Sequence, residues 1–530
     1  MAIGYLPLMP DPKRILWVDD EIGGLKSHIL FLEHRGFAVQ TAPNGEDALA
    51  LLGENGFDCV LLDEQMPGMR GMAVFQEIRD RHPRLPVVMV TKSEEEGLMD
   101  QAIGRRVDDY LVKPINPNQV LSVLKRLLEG SQIRHQTIAQ EFSRRYLELE
   151  DERKSRASWN DWVELYRELL TWEMRLIEAG ERGLLESQRE VMKAANADFV
   201  RYVRERYRGW VAAEPGQRPI LSPDVVERYV RPLLEADDGP VFFVLIDCLR
   251  LDQWMAIQDS LTPLFTIQEE FAGSILPSAT PYSRNAIFSG WFPRRIAEKH
   301  PELWVGDADI EGSLNPHERE LLEHQLRRKG LGAACPVQYQ KVFTADEGAA
   351  ALKRLPQCFQ SRLSAFVFNF IDVLTHGRSE SEILLEIAPD PEAFRSLTRS
   401  WFLHSAIYEL LRQAARQGVR VVLTTDHGSV HCLRPATVFA RKDASQNLRY
   451  KFGNNIHAED AETALREVDL ATIGLPDLGT NVAALIAVED YYFVYPTKLR
   501  EYQSRYYGAF LHGGVSLEEL ILPVATLTPR

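Results

Sequence analysis

The sequence predicts a multidomain α/β protein in which two sheet-containing regions flank a helical one. Short apolar runs alternate with amphipathic stretches over residues 14–130, helical periodicity alone occupies the middle, and strongly apolar runs return after residue 240. A chain of 530 residues has room for three or four domains. We therefore expect domain boundaries that give residues 1–130, 131–235 and 236–530.

Composition narrows the classes of protein. The chain is 45% hydrophobic and 26% charged, and its formal net charge of −15 repels nucleic-acid phosphates. We expect no sequence-specific DNA binding. The five cysteines show no paired spacing, so they should be reduced thiols. Residues 1–12 lack a basic segment followed by a long apolar one, and no long uncharged apolar stretch follows, which predicts a cytoplasmic protein without membrane insertion.

Five apolar runs in the first region read as parallel strands, and four of them end in polar residues that carry chemistry. The runs are Ile15–Val18, Ala38–Ala42, Cys59–Leu62, Val87–Val90 and Tyr110–Val112. The polar residues that follow are Asp19, Asp20, Asp63, Thr91 and Lys113. Because the carboxyl ends of parallel strands meet at one edge of a sheet, these groups should share one crevice. Clustered carboxylates suit Mg²⁺.

This region resembles the receiver domain of response regulators, which has a flavodoxin-like fold. The resemblance lies in VDDE (18–21), LLDEQMPGMRG (61–71), VMVTKS (88–93) and YLVKP (110–114). It implies that Asp63 accepts a phosphoryl group and that Asp19, Asp20 and Asp63 hold Mg²⁺. It also implies switch roles for Thr91, Tyr110 and Lys113. The competing interpretation is a structural flavodoxin-like domain with incidental acids.

The middle of the chain is predicted to be a helical bundle. Apolar residues recur at steps of three and four, and proline and glycine are absent from residues 133–179. Arg201, Arg204, Arg206 and Arg208 alternate with tyrosines, a pattern that suits either nucleic acid or a solvated helix face. We find no helix-turn-helix signature.

Three apolar runs in the last region are each followed by an aspartate. VFFVLI precedes Asp247, AFVFNFI precedes Asp372, and VRVVLTT precedes Asp426. Buried parallel strands would bring these carboxylates to one sheet edge. His376, His427 and His512 accompany them, and this set of six side chains is about right for two metal ions.

A nucleophile is available in the proline-bounded turn PSATPYSRN (277–285). Thr280 at a helix N-terminus would have its alkoxide favoured by the helix dipole. Ser278 and Ser283 remain alternatives, since they lie close by in the sequence.

This last region resembles the PglZ branch of the alkaline phosphatase superfamily, which has an α/β/α fold. The resemblance lies in ID (246–247), LPSATPYSRNAIFSG (276–290), DVLTH (372–376), TTDHGS (424–429) and HGGVSLEE (512–519). It implies two zinc ions, one held by Asp372, His376 and His512, the other by Asp247, Asp426, His427 and the Thr280 oxygen. It further implies that Thr280 forms a covalent phosphothreonine, which is then hydrolysed.

The reaction expected from that resemblance is phosphodiester hydrolysis. No cysteine has the sulfatase context, and threonine as nucleophile resembles the nucleotide pyrophosphatase and phosphodiesterase members. Arg284 and Asn285 are expected to bind a phosphate oxygen. Lys442, Arg449 and Lys451, interleaved with aromatic residues, would suit an oligonucleotide, although a solvated loop explains them equally well.

Taken together, the regions resemble the PorX-like two-component response regulators, which are linked to type IX secretion. That resemblance implies a sensor histidine kinase, a phosphorylation-linked homodimer, a cyclic or linear oligonucleotide substrate and contacts to a sigma factor or secretion component. A different class stays open, namely a non-catalytic signalling adaptor that exposes a binding surface when phosphorylated. A phosphomonoesterase or phosphomutase is a third interpretation.

Overall fold

The computed structural model describes residues 12–82, 85–92, 107–236, 239–305, 315–331, 335–378, 381–440 and 447–530. The chain divides into two compact units, one comprising Met1–Arg145 and Arg175–Leu185, the other Tyr146–Met174 and Glu186–Arg530. All five cysteines are free and buried. Within the described ranges, no helix is both long enough and apolar enough to cross a membrane.

The first unit contains a five-stranded parallel sheet in the order β2-β1-β3-β4-β5. Its strands are β1 Lys13–Val18, β2 Phe37–Ala42, β3 Cys59–Asp63, β4 Val87–Thr91 and β5 Asp109–Val112. Its first helices are α1 Lys26–Glu33, α2 Gly45–Glu54, α3 Gly71–Arg81 and α4 Pro117–Leu124. Alternate residues of β1 enter two separate apolar clusters, so both faces of the sheet are covered. The five apolar runs predicted as parallel strands are confirmed as β1 to β5.

Three long helices follow: α5 Gly130–Ser155, α6 Trp159–Glu178 and α7 Arg182–Ala212. The residues that set the helical periodicity, such as Phe142, Trp162 and Leu169, are buried, as predicted. Arg204 and Arg208 of the basic stretch pair with Glu462 and Glu467, at 3.0 and 2.6 Å. Both ion pairs lie within the second unit.

The second unit is built on a six-stranded sheet in the order β7-β19-β10-β6-β9-β8. Its strands are β6 Val241–Ile246, β7 Phe265–Gly273, β8 Val337–Val342, β9 Leu363–Phe368, β10 Arg420–Thr424 and β19 Ile521–Pro529. β10, β6, β9 and β8 run parallel, and β19 pairs antiparallel with β10 and β7. The three apolar runs are thus adjacent central strands, each buried along nearly its whole length.

Helices pack around this sheet. They are α8 Arg231–Ala236, α9 Leu251–Gln258, α10 Thr280–Ser289, α11 Pro293–Lys299, α12 Glu318–Arg328, α13 Ala345–Cys358, α14 Phe370–Arg378, α15 Glu382–Ile387, α16 Pro391–Leu403, α17 Ala406–Arg416, α18 Leu499–Tyr506 and α19 Leu517–Leu520. Small sheets complete the unit: β11 Val430–His431 with β18 Phe510–Leu511; β12 Arg434–Phe439 with β14 His457–Ala458 and β17 Tyr491–Val494; and β13 Tyr450–Asn454, β15 Ala464–Glu467 and β16 Val482–Ala487.

Candidate functional site

In the first unit, three carboxylates meet at the carboxyl edge of the sheet. Asp19 and Asp20 follow β1, and Asp63 is the last residue of β3. One oxygen from each lies within 4.8 Å of the others. Asp19 and Asp63 are buried, whereas Asp20 is exposed. The expected acidic group is therefore assembled, with a geometry that suits a hard divalent cation.

Lys113 joins two of these carboxylates. Its Nζ lies 2.8 Å from Asp19 Oδ2 and 2.7 Å from Asp63 Oδ2. Burial acts to lower the pKa of Lys113, but the hydrogen bonds and charges of the two aspartates outweigh it and raise that pKa. Thr91 ends β4, at the same edge of the sheet as Asp63. Tyr110 lies further from that edge, because it is the second residue of β5 and pairs with Met89.

In the second unit, Asp247, Asp426 and His427 form one group of possible metal ligands. Asp247 follows β6, while Asp426 and His427 lie just beyond the end of the neighbouring strand β10. One ligand atom from each lies within 4.8 Å of the others, and all three side chains are buried. His427 Nε2 is 3.7 Å from Asp247 Oδ1 and 3.8 Å from Asp426 Oδ2.

Asp372, His376 and His512 form a second group. His376 Nε2 and His512 Nε2 both lie 3.4 Å from Asp372 Oδ1. The structure corrects the expected position of Asp372, because β9 ends at Phe368 and Asp372 lies in the first turn of helix α14. His376 sits one turn further along that helix, so the i, i+4 spacing places both side chains on one face.

The two groups are adjacent. The rings of His427 and His512 stack with centroids 4.2 Å apart, and His512 Nε2 lies 3.1 Å from His376 Nε2. The six side chains expected from the sequence thus converge on one place from strands, a helix and a glycine-rich turn. The sequence predicted that these side chains meet, but it did not predict the distances between them.

Thr280 is the first residue of helix α10, and its hydroxyl oxygen lies 3.0 Å from His427 Nε2. His427 Nδ1 lies 3.1 Å from the carbonyl oxygen of Gly428, which assigns the proton to Nδ1 and leaves the Nε2 lone pair facing Thr280. Ser278 donates to the Gly514 carbonyl, and Ser283 bonds to Ser274. Among the three hydroxyls left open by the sequence, Thr280 is the one placed against the ligand groups.

Burial and charge set the protonation of the site. Burial lowers the pKa of His427 to about 4, so the ring is neutral near pH 7 and able to act as a ligand. Burial acts to raise the pKa of Asp372, but hydrogen bonds from His376 and His512 hold that pKa well below its ordinary value. Asp372 is therefore ionised.

Arg284 and Asn285 do not have the roles predicted for them. The Arg284 guanidinium is buried and ion-paired with Asp247, Asp426 and Glu318. Asn285 donates to the Pro281 carbonyl, at 2.9 Å, from within the helix. Both side chains are occupied by protein partners, so the expectation that they bind a phosphate oxygen is wrong. Arg284 instead fixes the carboxylates of one ligand group.

Sequence reasoning missed the residues that surround Arg284, which come from residues 315–341. Glu318 accepts hydrogen bonds from Arg284 and Lys341. Asn315 donates to the Thr280 carbonyl, at 2.9 Å, and accepts from Asn285. Asn315, Glu318 and Lys341 are isolated polar residues in a loop, at a helix start and in a strand. They form no sequence pattern that would have predicted their contacts with Arg284 and Thr280.

Two of the three predicted substrate-binding cations are buried. Arg449 is fully buried, pairs with Glu519 and donates to the carbonyls of Val488, Glu489 and Tyr491. Lys451 is also buried, with its Nζ 5.0 Å from the centre of the Tyr495 ring. The prediction of oligonucleotide contacts is wrong for these two residues, and Lys442 lies outside the described residues.

The two ligand groups fit metal ions. Asp247 Oδ1 and His512 Nδ1 are buried without a hydrogen-bond partner within the described part of the chain. Buried polar atoms of this kind are normally satisfied, and a coordinated cation would satisfy the Asp247 carboxylate. Mixed imidazole and carboxylate donors suit zinc.

Comparison with protein families divides the chain into three parts. Residues 15–125 match the response regulator receiver domain, and residues 132–211 match the PorX response regulator linker domain. Residues 225–527, more than half of the chain, match the BREX system PglZ alkaline phosphatase-like domain. The expected fold class is confirmed in all three parts.

Several individual proteins are similar to about 22% of the chain. The transcriptional regulatory protein SrrA of Staphylococcus aureus is 36% identical over 119 residues, which are 22% of this chain and 49% of SrrA. The chain therefore spans about half the length of that curated relative. A CheY-like receiver from Methanospirillum hungatei is 29% identical and covered over 95% of its length, with a TM-score of 0.22 against 22% of this chain. TrrA of Thermotoga maritima, in complex with Mg²⁺ and BeF, is 33% identical, with 99% and 22% covered and a TM-score of 0.21.

Proposed function

The chain belongs to the PglZ alkaline phosphatase-like family and is a PorX-like response regulator, and from that premise we propose that it is a zinc-dependent phosphodiesterase regulated by phosphorylation of Asp63. One observation carries the catalytic part of the proposal. Thr280, at the start of helix α10, lies 3.0 Å from His427 at the meeting point of two ligand groups. A non-catalytic adaptor has no need for this arrangement of buried charge and nucleophile.

Thr280 is the nucleophile. Its Oγ1 gives up its proton to solvent and forms a bond to phosphorus while the bond from phosphorus to the ester oxygen breaks, and the departing oxygen takes up a proton from solvent. The oxygen of a water molecule then loses a proton and forms a bond to phosphorus as the Thr280 Oγ1–phosphorus bond breaks, and Thr280 Oγ1 takes up a proton again. The helix N-terminus favours negative charge on Oγ1.

Two metal sites flank the nucleophile. Asp372, His376 and His512 would hold one zinc ion, and Asp247, Asp426, His427 and Thr280 Oγ1 would hold the other. When bound, zinc supplies positive charge beside the attacking and leaving oxygens. Arg284 holds Asp247 and Asp426 in place and limits repulsion between them.

The substrate we favour is a cyclic or linear oligonucleotide. The resemblance of a threonine nucleophile to diesterase members supports a diester. With Arg449 and Lys451 buried, the support from the basic segment falls away. Tyr282, two residues after Thr280, packs against Trp304, Tyr450 and Phe452 with ring centres about 6 Å apart. Tyr282, Tyr450 and Phe452 are themselves buried, so the preference for an oligonucleotide rests on the resemblance to diesterase members.

The receiver part implies a cognate histidine kinase as partner. We propose that phosphorylated Asp63 with Mg²⁺ on Asp19 and Asp20 is read by Lys113, Thr91 and Tyr110. The proposal also includes a homodimer that forms on phosphorylation and contacts to a sigma factor or secretion component. It places the protein in type IX secretion control and in the cytoplasm.

The test is hydrolysis of a chromogenic phosphodiester by the zinc-loaded full chain. Thr280→Ala should lower kcat about a thousand-fold or more, since the covalent step is lost. Thr280→Ser should keep a substantial part of it, because the hydroxyl remains. Ser289→Ala is the matched control, because its hydroxyl, at the other end of helix α10, bonds to the backbone of Trp291. Chelation by EDTA should abolish turnover, and beryllofluoride with Mg²⁺ should change it.

Three results would contradict the proposal. Activity of Thr280→Ala within a few-fold of wild type would remove Thr280 as nucleophile. No hydrolysis of diesters, including dinucleotides, by wild type with two zinc ions bound would favour the adaptor. A larger kcat/KM for the matching monoester would favour a phosphomonoesterase.

A further inference from the structure

Helix α7 sends two buried polar side chains into the segments that carry the catalytic residues. Asn196 and Tyr207 are only 6% and 3% exposed. The helix lies far upstream in the sequence, within the part that matches the linker family, yet both residues belong to the second compact unit. Their contacts reach two different segments, one that follows His512 and one that precedes Thr280.

Asn196 binds the segment that follows His512. Its Oδ1 accepts a hydrogen bond from the backbone N–H of Leu517, at 2.7 Å. Its Nδ2 donates to Glu518 Oε2 and Oε1, at 3.0 and 3.2 Å. Asn196 thereby satisfies a backbone donor in the first turn of helix α19 and the buried carboxylate beside it.

The 512–519 segment supports both histidines of the stacked pair. Gly514 N donates to Glu519 Oε1 at 2.7 Å, which holds the turn after His512. On its other side, a Cβ placed on Gly428 would lie 1.9 Å from the Glu518 carbonyl oxygen, so the loop after His427 rests directly on this backbone. A shift of Glu518 would therefore move both ligand loops.

Tyr207 binds the segment that leads to the nucleophile. Its hydroxyl oxygen accepts from the backbone N–H of Leu276 at 2.7 Å, four residues before Thr280. Leu276 is itself buried. Loss of the hydroxyl would leave a buried backbone donor without this acceptor and would loosen the approach to helix α10.

We propose that Asn196 and Tyr207 of the linker helix are positioning residues for the zinc-dependent reaction, Asn196 for the histidine ligands and Tyr207 for Thr280. The inference rests on the proposed function for the identity of the reaction. Its basis is the pair of buried hydrogen bonds and the shared backbone support at Glu518. Outer partners that orient ligands in this way typically change metal affinity or activity by about 10- to 100-fold when they are removed.

Matched controls exist on the same helix. Gln188 is as buried as Asn196, but its Nε2 donates to the Leu169 carbonyl of helix α6 at 2.8 Å. The ring of Tyr202 packs among Trp162, Phe199 and Trp210. Gln188→Ala and Tyr202→Phe therefore alter the helix without touching the catalytic segments.

The experiment compares zinc affinity, by competition with a chelator, and the kinetic constants of the full chain. Asn196→Ala should bind zinc about ten-fold more weakly, whereas Gln188→Ala should keep wild-type affinity at a similar loss of Tm. Tyr207→Phe should lower kcat about ten-fold with KM within two-fold, whereas Tyr202→Phe should change neither.

A reciprocal exchange separates positioning from general destabilisation. Asn196→Asp keeps the acceptor for Leu517 N but places a second carboxylate against Glu518, so zinc affinity should fall. Combining it with Glu518→Gln restores one donor and one carboxylate at the contact and should recover most of the affinity.

The inference fails for Asn196 if Asn196→Ala and Gln188→Ala bind zinc equally well, or if the exchange recovers nothing. It fails for Tyr207 if Tyr207→Phe and Tyr202→Phe have the same kcat. Should wild type bind zinc but hydrolyse no ester, the proposed function fails by itself. The absorption spectrum of the Co²⁺-loaded site then decides the inference: altered bands in Asn196→Ala and Tyr207→Phe support it, and wild-type bands overturn it.

Discussion

At the scale of single residues, His427 combines burial with three polar neighbours. Its ring is fully buried, faces Thr280 through Nε2 and the Gly428 carbonyl through Nδ1, and stacks on His512. Burial lowers its pKa from the ordinary value of 6.5 to about 4. Between these two values the unfolded chain binds a proton that the folded chain does not.

His427 should therefore make the metal-free chain less stable in acid. As pH falls from 6.5 to 4, the unfolded state takes up more protons, so the free energy of unfolding falls by up to about 3 kcal/mol. Urea unfolding of EDTA-treated protein at pH 7.5 and pH 4.5 measures this loss. His427→Gln should show a smaller loss, and His404→Gln, at an exposed position, should match wild type. Equal losses in all three proteins would contradict the prediction.

Single residues also mark the limit of sequence reasoning. The six predicted metal-ligand side chains, all Asp or His, converge because strand ends and the i, i+4 rule place them. Arg284 and Arg449 were both predicted to bind a phosphate group, and both instead pair with buried carboxylates, for a common physical reason. A cation in a sequence looks like a ligand for a phosphate until its distant carboxylate partners, here Asp426 and Glu519, are known.

At the scale of elements, the strands were predictable and the polar contacts between elements were not. β6, β9 and β10 are buried on both faces, so their apolar runs stand out. Asp372 was placed one element too early, because the apolar run continues past Phe368 into helix α14. The tie from helix α7 to Leu517 joins residues 321 positions apart, and no local pattern encodes it.

Two glycines in different elements should respond oppositely to alanine. A Cβ on Gly428 would meet the Glu518 carbonyl at 1.9 Å, so Gly428→Ala should destabilise the chain by about 3 kcal/mol and weaken zinc binding. A Cβ on Gly209 of helix α7 meets nothing within 4 Å, so Gly209→Ala should stabilise it by about 1 kcal/mol. Urea unfolding and chelator competition measure both effects. Wild-type stability of Gly428→Ala would show that the loop does not rest on Glu518.

At the scale of the whole molecule, the chain has two compact units, each with its own central sheet, and the described residues include one group of cation ligands in the first unit and two in the second. Ligands that bind one folded unit stabilise that unit by mass action. The three domains expected from the sequence, residues 1–130, 131–235 and 236–530, stay a prediction, and the helical middle is shared between the two units.

Thermal unfolding should accordingly show two transitions with separate ligand responses. Mg²⁺ with beryllofluoride should raise the Tm of the first unit, because it binds the Asp63 group. EDTA should lower the Tm of the second unit, because it removes metal from the ligand groups there. Differential scanning calorimetry of the full chain measures both. Asp63→Asn should remove the beryllofluoride shift and leave the EDTA shift intact. A single transition that responds to both reagents would show that the units unfold together.

The hydrogen bonds of helix α7 bear on where the chain can be cut. Similarity to the PglZ family begins at residue 225, but a fragment starting there would leave behind Asn196 and Tyr207. The backbone donors of Leu517 and Leu276 would lose their acceptors, and Gly273 would lose the Trp159 ring that covers it. An excised hydrolase would therefore have to begin upstream of Trp159. The smallest fragment that keeps these contacts is therefore longer than the region that matches the PglZ family, residues 225–527.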